Sequence, residues 1–131
     1  MCSTRWKREQ MKQCPVFSQM RQRTPKVHCL TNPVTMQDVA NVLLAAGGSA
    51  VMAQDAAEVE EITALCDATL LNTGVPSLEK FRACTLAGVR ANGLGHPVVL
   101  DPVGAGASAF RRSQLGALLE QVRPAIIRCN Q

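Results

Sequence analysis

Five short apolar runs, each followed by a loop and all but the last by a helically spaced segment, constrain this chain more than any other feature. The runs lie at 27–30, 50–52, 68–72, 97–100 and 125–128. A strand that is apolar along its whole length has no face to offer water. Alternation with helices therefore predicts an α/β protein whose parallel sheet is covered on both faces. The first helix is expected over 36–46, with Met36, Val39, Ala40, Leu43 and Leu44 recurring at helical spacing before Gly47-Gly48. Asp55 and Glu58 read as a capping box for a second helix that turns Val59, Ile62 and Leu65 inward. Ser77 caps a third, with a buried stripe of Leu78, Phe81, Thr85, Leu86 and Val89 that closes at Gly93. A fourth carries Leu115, Leu118, Leu119 and Val122. A closing helix is expected after the fifth run, so the sequence reads as a piece of a longer protein.

The chemistry is expected where strands end. Val98-Val99-Leu100-Asp101-Pro102-Val103-Gly104-Ala105-Gly106 brings an apolar run to a carboxylate, breaks it with proline and opens a glycine loop. Open parallel sheets bind ligands at the C-terminal edges of their strands, and glycines let backbone N–H groups approach a bound anion. Asp101 can hold a Mg²⁺ ion beside phosphate or serve as a turn residue; position alone leaves both open. Arg128, ending the next run, reads as a phosphate clamp or as a solvated strand-end charge. Thr31-Asn32 and Asn72-Thr73-Gly74 are polar exits on the same edge, and Met52 could line an apolar pocket or belong to the core. Gly104-Ala105-Gly106-Ala107-Ser108-Ala109 also spells a dinucleotide fingerprint. Asp-Pro-Val intervenes between strand and glycine, however, and the next strand ends in Arg128 rather than an acid. His28 and His96 have no partner at ligand spacing and take no catalytic role.

Charge is unevenly distributed. Residues 1–26 hold seven basic groups against Glu9 alone, while the remaining 105 residues hold seven basic and nine acidic groups. Such an arm could bind nucleic acid or a membrane surface, but with few aromatics and no repeat it reads as a loosely ordered leader. No apolar run approaches the ~18–20 residues that span a bilayer, and the first residues lack the apolar middle of a secretory signal. A soluble, cytoplasmic protein is expected. Of the six cysteines, Cys29, Cys66 and Cys84 sit within apolar patterns and read as buried free thiols rather than as a zinc site.

Taken together, several strings resemble the hydroxyethylthiazole kinase family of thiamine salvage. They are Val27-His28-Cys29-Leu30-Thr31-Asn32, Ala40-Asn41-Val42-Leu43-Leu44-Ala45, Ser49-Ala50-Val51-Met52-Ala53, Glu58-Val59-Glu60-Glu61 and Leu71-Asn72-Thr73-Gly74. Pro97 to Ala107 and Arg123-Pro124-Ala125-Ile126-Ile127-Arg128 complete the set. The resemblance implies a ribokinase-like, three-layer parallel-sheet sandwich, with 27–131 as the N-terminal part of the kinase domain behind the 1–26 leader. It implies transfer of the γ-phosphoryl of ATP to the hydroxyl of 4-methyl-5-(2-hydroxyethyl)thiazole with Mg²⁺, in a homotrimer that binds the thiazole between subunits. Carried over by motif, Met52 and Asn32 contact the substrate, Arg128 contacts ATP and Asp101 stands by the metal. The family's glycine-rich anion hole and catalytic cysteine are expected in a C-terminal part beyond this sequence. Where the family continues arginine-glycine-asparagine, this chain has Arg128-Cys129-Asn130.

Overall fold

The computed structural model describes residues 15–129. A helix, α1 (Pro15–Arg23), precedes five strands that alternate with four more helices. In chain order these are β1 (Lys26–Leu30), α2 (Met36–Ala46), β2 (Ser49–Val51), α3 (Val59–Ala64) and β3 (Ala68–Asn72). They continue through α4 (Leu78–Gly93), β4 (Val98–Asp101), α5 (Ala109–Gln121) and β5 (Ile126–Ile127). The sheet is wholly parallel, in the order β2-β1-β3-β4-β5. Within the expected 1–26 leader, 15–23 form α1, whose Phe17 and Arg21 line a small pocket together with Val42, Ala45 and Ala46 of α2. Residues 1–14, with Cys2 and Cys14, lie outside the described residues.

Strand order dictates the layers. The step from β1 to β2 runs one way along the sheet and every later step runs the other, so right-handed crossovers put α2 on one face and α3, α4 and α5 on the opposite face. The second face carries the core: Leu30, Leu71, Val98 and Leu100 from the strands pack with Val59, Ala87, Leu118 and Val122. The first face is covered only in part among the described residues. Beside α2 a groove of about 570 Å³ is lined by Val27, Ala68, Leu70 and Val99 of the sheet and Val39, Val42 and Leu43 of the helix. Full cover on both faces was expected from the apolar strands; a single α2 crossover is too narrow to supply it.

Three local readings are corrected. Asp55 makes no capping box: its carboxylate accepts from the Ala57 N–H at 2.8 Å, Glu58 takes the cap position, and Leu65, just past the end of the short α3, is exposed. In α4, Leu78 and Val89 face solvent, and the buried face is Phe81, Ala83, Cys84, Ala87, Gly88 and Ala91. Small residues are needed there because α5 lies close, and a Cβ on Gly88 would come within 2.6 Å of Val122. Leu44 of α2 and Leu119 of α5 are likewise exposed. The Ser77 cap is as expected, accepting from the Lys80 N–H at 3.0 Å.

Cys29, Cys66 and Cys84 are buried free thiols, and burial pushes Cys29 and Cys84 up to about 11. At neutral pH they are protonated and unreactive.

His28 is wholly buried in β1. Its Nε2–H donates to the Ala53 carbonyl at 2.8 Å, which leaves Nδ1 to accept from the Thr63 hydroxyl at 2.9 Å. Desolvation holds the imidazole below its ordinary value of 6.5, against smaller opposing effects of the Ala53 hydrogen bond and Glu58. Both folded and unfolded forms are therefore neutral above that value, and the stability contributed there is complete. As pH falls below it, the unfolded chain takes up a proton that the fold resists, and stability declines until the depressed folded pKa is passed. Chemical denaturation between pH 7.5 and 5 should show this decline. His28→Leu should flatten the histidine part of that profile while costing about 1–3 kcal/mol at pH 7.5, because Ala53 and Thr63 lose their partner.

Candidate functional site

Parallel pairing brings the C-terminal ends of all five strands to one edge, and polar residues at the ends of β1, β3, β4 and β5 form a row across it. The exit of β1 supplies Asn32. Its Nδ2 donates to Asn72 Oδ1 at 3.1 Å, at the end of β3. Asn72 Nδ2 in turn donates to Asp101 Oδ2 at 2.9 Å, at the end of β4. The other carboxylate oxygen, Oδ1, lies 3.6 Å from the Arg128 guanidinium, just past β5. The register explains the sequence of contacts, since Asn72 is paired directly with Asp101.

Each member is also held by backbone. Asn32 Oδ1 accepts from the Val34 and Thr35 N–H groups at 3.1 and 3.2 Å, which shapes the turn into α2. Asn72 Oδ1 takes a second bond from the Gly74 N–H at 2.9 Å. Position 74 must be glycine for this: a Cβ there would stand 2.8 Å from Asn32 Nδ2 and 2.9 Å from Asn72 Oδ1. The Asp101 carbonyl accepts from Thr73 and Val103, tying the β3 exit to the loop that contains Gly104. Gly104 has φ +63°, a conformation that favours glycine.

Burial grades along the row. Asn32 and Asn72 are buried, Asp101 is 21% exposed and Arg128 67% exposed. An ion pair this open to water contributes little to stability. The planar guanidinium keeps donors available for two oxygens of an anion such as phosphate. Next to it stands a carboxylate with one oxygen not engaged by Asn72. Among the described residues no group of three or more histidine, cysteine or acidic side chains could enclose a metal. One half-buried carboxylate nevertheless suits Mg²⁺, which commonly takes one or two protein carboxylates and fills its shell with water and phosphate oxygens. Asp101 is the residue that would hold it.

Met52 follows β2, the strand outside β1, and is half-buried. It thus sits at the far end of the edge from Arg128, with Asn32 between it and Asp101. The structure joins Asn32, Asp101 and Arg128 in one network and places Met52 on the same edge outside that network. Two participants were not singled out from sequence. Asn72 appeared only as one of several polar turn residues, although it is the member that links the others. Lys80 gave no signal at all. Its ammonium reaches out of the first turn of α4 to the Thr31 carbonyl and, at 2.8 Å, to Gln54 Oε1. Desolvation lowers its pKa from the usual lysine value.

The glycine loop after β4 lies away from the switch point of this sheet, where an open α/β fold most often holds a dinucleotide. Strand order reverses here between β1 and β3.

A model of the hydroxyethylthiazole kinase family matches residues 17–131. The chain belongs to the hydroxyethylthiazole kinase family. It is 53% identical over 115 residues to the hydroxyethylthiazole kinase of Desulfovibrio desulfuricans, covering 88% of this chain and 40% of that protein. To the Lysinibacillus sphaericus enzyme of the same name it is 47% identical over 116 residues, covering 88% and 46%. The solved hydroxyethylthiazole kinase structure from Pyrococcus horikoshii superposes with a TM-score of 0.77 at 43% identity, over 81% of this chain and 42% of that one. The chain therefore spans less than half the length of these relatives. A receiver domain of a sensor histidine kinase from Pseudomonas aeruginosa aligns with a TM-score of 0.57 at 19% identity, a likeness of fold alone.

Asn72→Asp tests the wiring of the row. It replaces the donor on Asp101 with a second carboxylate at hydrogen-bonding distance. Like charges so close raise one carboxyl pKa above its unfolded value, so the penalty is present at pH 7 and relieved as the pair takes up a proton. The variant should be destabilised by about 2–3 kcal/mol at pH 7 and should approach the parent on acidification to pH 5, as read by the denaturation midpoints of both proteins.

Proposed function

We propose that this chain forms the N-terminal part of a hydroxyethylthiazole kinase, with 27–131 lying in a ribokinase-like kinase domain behind a basic arm at 1–26. The reaction is transfer of the γ-phosphoryl group of ATP to the primary hydroxyl of 4-methyl-5-(2-hydroxyethyl)thiazole. One observation carries the reading: a carboxylate and a guanidinium from successive parallel strands share the edge of a sheet whose family phosphorylates an alcohol. On this reading Met52 and Asn32 contact the thiazole, Asp101 faces the metal and phosphates, and Arg128 binds ATP. Magnesium, when bound, screens the charge of the phosphate oxygens during transfer. Asn72 orients Asp101, and Arg128 clamps the phosphate chain through bidentate hydrogen bonds.

The active assembly is a cytoplasmic homotrimer with the thiazole held between subunits, and neither nucleic acid nor a membrane is a partner. Among the described residues no helix is long and apolar enough to cross a bilayer. Positioning and electrostatic stabilisation supply most of the catalysis in phosphoryl transfer. We therefore assign turnover to a chain of the relatives' full length and not to these 131 residues. A second reading, a non-catalytic remnant that binds a ligand or a full-length homologue, draws support from the apolar groove left open beside α2.

A chimera separates the two. Residues 1–128 joined to the C-terminal part of the Desulfovibrio desulfuricans relative should phosphorylate the thiazole in the presence of Mg-ATP, whereas the 131-residue chain alone should not. In the chimera, Arg128→Gln should raise KM for ATP at least tenfold and Asp101→Ala should lower kcat about a hundredfold or more. A folded chimera without activity would favour the remnant. Turnover by the 131 residues alone would contradict the assignment.

A further inference from the structure

The first turn of a helix is an unfavourable place for a cation, because the aligned peptide dipoles make it positive. Lys80 sits there nonetheless, in α4, with its ammonium half-buried and the nearest Asp or Glu carboxylate among the described residues outside ion-pair range. What it has instead are two neutral acceptors from two different strand exits. One is the carbonyl of Thr31, a fully buried residue directly before Asn32. The other is the side-chain amide oxygen of Gln54, two residues after Met52. Between them, the Ala53 carbonyl is fixed separately by His28. The segment that follows β2 is therefore tied down at consecutive residues, once to β1 itself and once, through Lys80, to the end of β1. Neither bond is needed to continue a strand or a helix. Their combined effect is to set the distance between the exits of β1 and β2.

We infer that Lys80 is a positioning residue that locks the Met52–Gln54 segment to the Thr31-Asn32 turn and so fixes the width of the pocket in which the thiazole ring is held. The inference rests on the proposed reading of Met52 and Asn32 as substrate contacts. It assigns to Lys80 no contact with phosphate. The nucleotide end of the row, Asp101 and Arg128, is held by Asn72 and by its own backbone bonds, and it is linked to the lysine only indirectly, through the Asn32–Asn72 hydrogen bond.

The experiment compares the 131-residue chain with Lys80→Met, which keeps the bulk and removes the charge, with Lys80→Arg, which keeps a cationic donor, and with Gln54→Leu, which removes one acceptor. Two quantities are read: affinity for 4-methyl-5-(2-hydroxyethyl)thiazole and for Mg-ATP by calorimetry, and amide hydrogen exchange along the chain. In Lys80→Met, thiazole affinity should fall at least tenfold and exchange at 52–54 should accelerate. Mg-ATP affinity and exchange at 98–104 should stay within twofold. Gln54→Leu should show the same pattern more weakly, and Lys80→Arg should restore most of it. Loss of both affinities together, or unchanged exchange at 52–54 in a folded Lys80→Met protein, would overturn the assignment. Should the parent bind no thiazole, Met52 and Asn32 of one 131-residue chain do not hold the ring by themselves. The exchange pattern would still decide whether Lys80 holds the two exits.

Discussion

Asn72 joins the ends of three parallel strands with one side chain. Its oxygen accepts from Asn32 and from the Gly74 backbone, and its nitrogen donates to Asp101. An amide suits this position because it can present acceptor and donor at once in a buried place. A carboxylate there would leave Asp101 facing another anion, and a hydroxyl could not span both neighbours. With Asn72 in place, Asp101 is held at the mouth of the edge. Arg128 stands beside it at 3.6 Å, open to water and to any anion that arrives.

The rest of the fold serves to bring those strand ends together. Right-handed crossovers stack α3, α4 and α5 on one face, and the small residues of α4 let α5 close over the core. Pairing Asn72 with Asp101 then follows from register, and the glycine at 74 follows from the crowding around the two asparagines. The geometry gathers Asn32, Asn72, Asp101 and Arg128 at one edge of a chain that belongs to the hydroxyethylthiazole kinase family. The geometry adds what family membership leaves unsaid: which side chain connects the members, and that the two residues after Met52, Ala53 and Gln54, are tied by His28 and Lys80.

Much of this was legible in the residues. Continuous apolar runs announce a parallel sheet, the prolines after Asn32 and Asp101 mark those residues as strand ends, and Arg128 closes the last apolar run. What misled was size. Reading the largest residues as the buried ones put Leu78 and Val89 of α4 inside, when close helix packing demanded Ala83, Ala87, Gly88 and Ala91. The spacing of Asp55 and Glu58 fitted a capping box. The aspartate instead closes a local turn with Ala57, an alternative always open to a short acidic side chain before a helix. Lys80 left no trace because its partners, Thr31 and Gln54, are far away in sequence and carry no charge. Long-range bonds to neutral acceptors have no pattern that a single sequence displays.

The central claim is that Asn72, Asp101 and Arg128 form the phosphate side of a nucleotide site. Nuclear magnetic resonance of the 131-residue chain titrated with Mg-ATP tests it most directly. Shifts should concentrate in the Asn72 side-chain amide, the Gly74 N–H, the 101–106 backbone and the Arg128 guanidinium, and Arg128→Gln should suppress them. Shifts centred elsewhere, or an Asn72 amide that does not respond to saturating nucleotide, would contradict it.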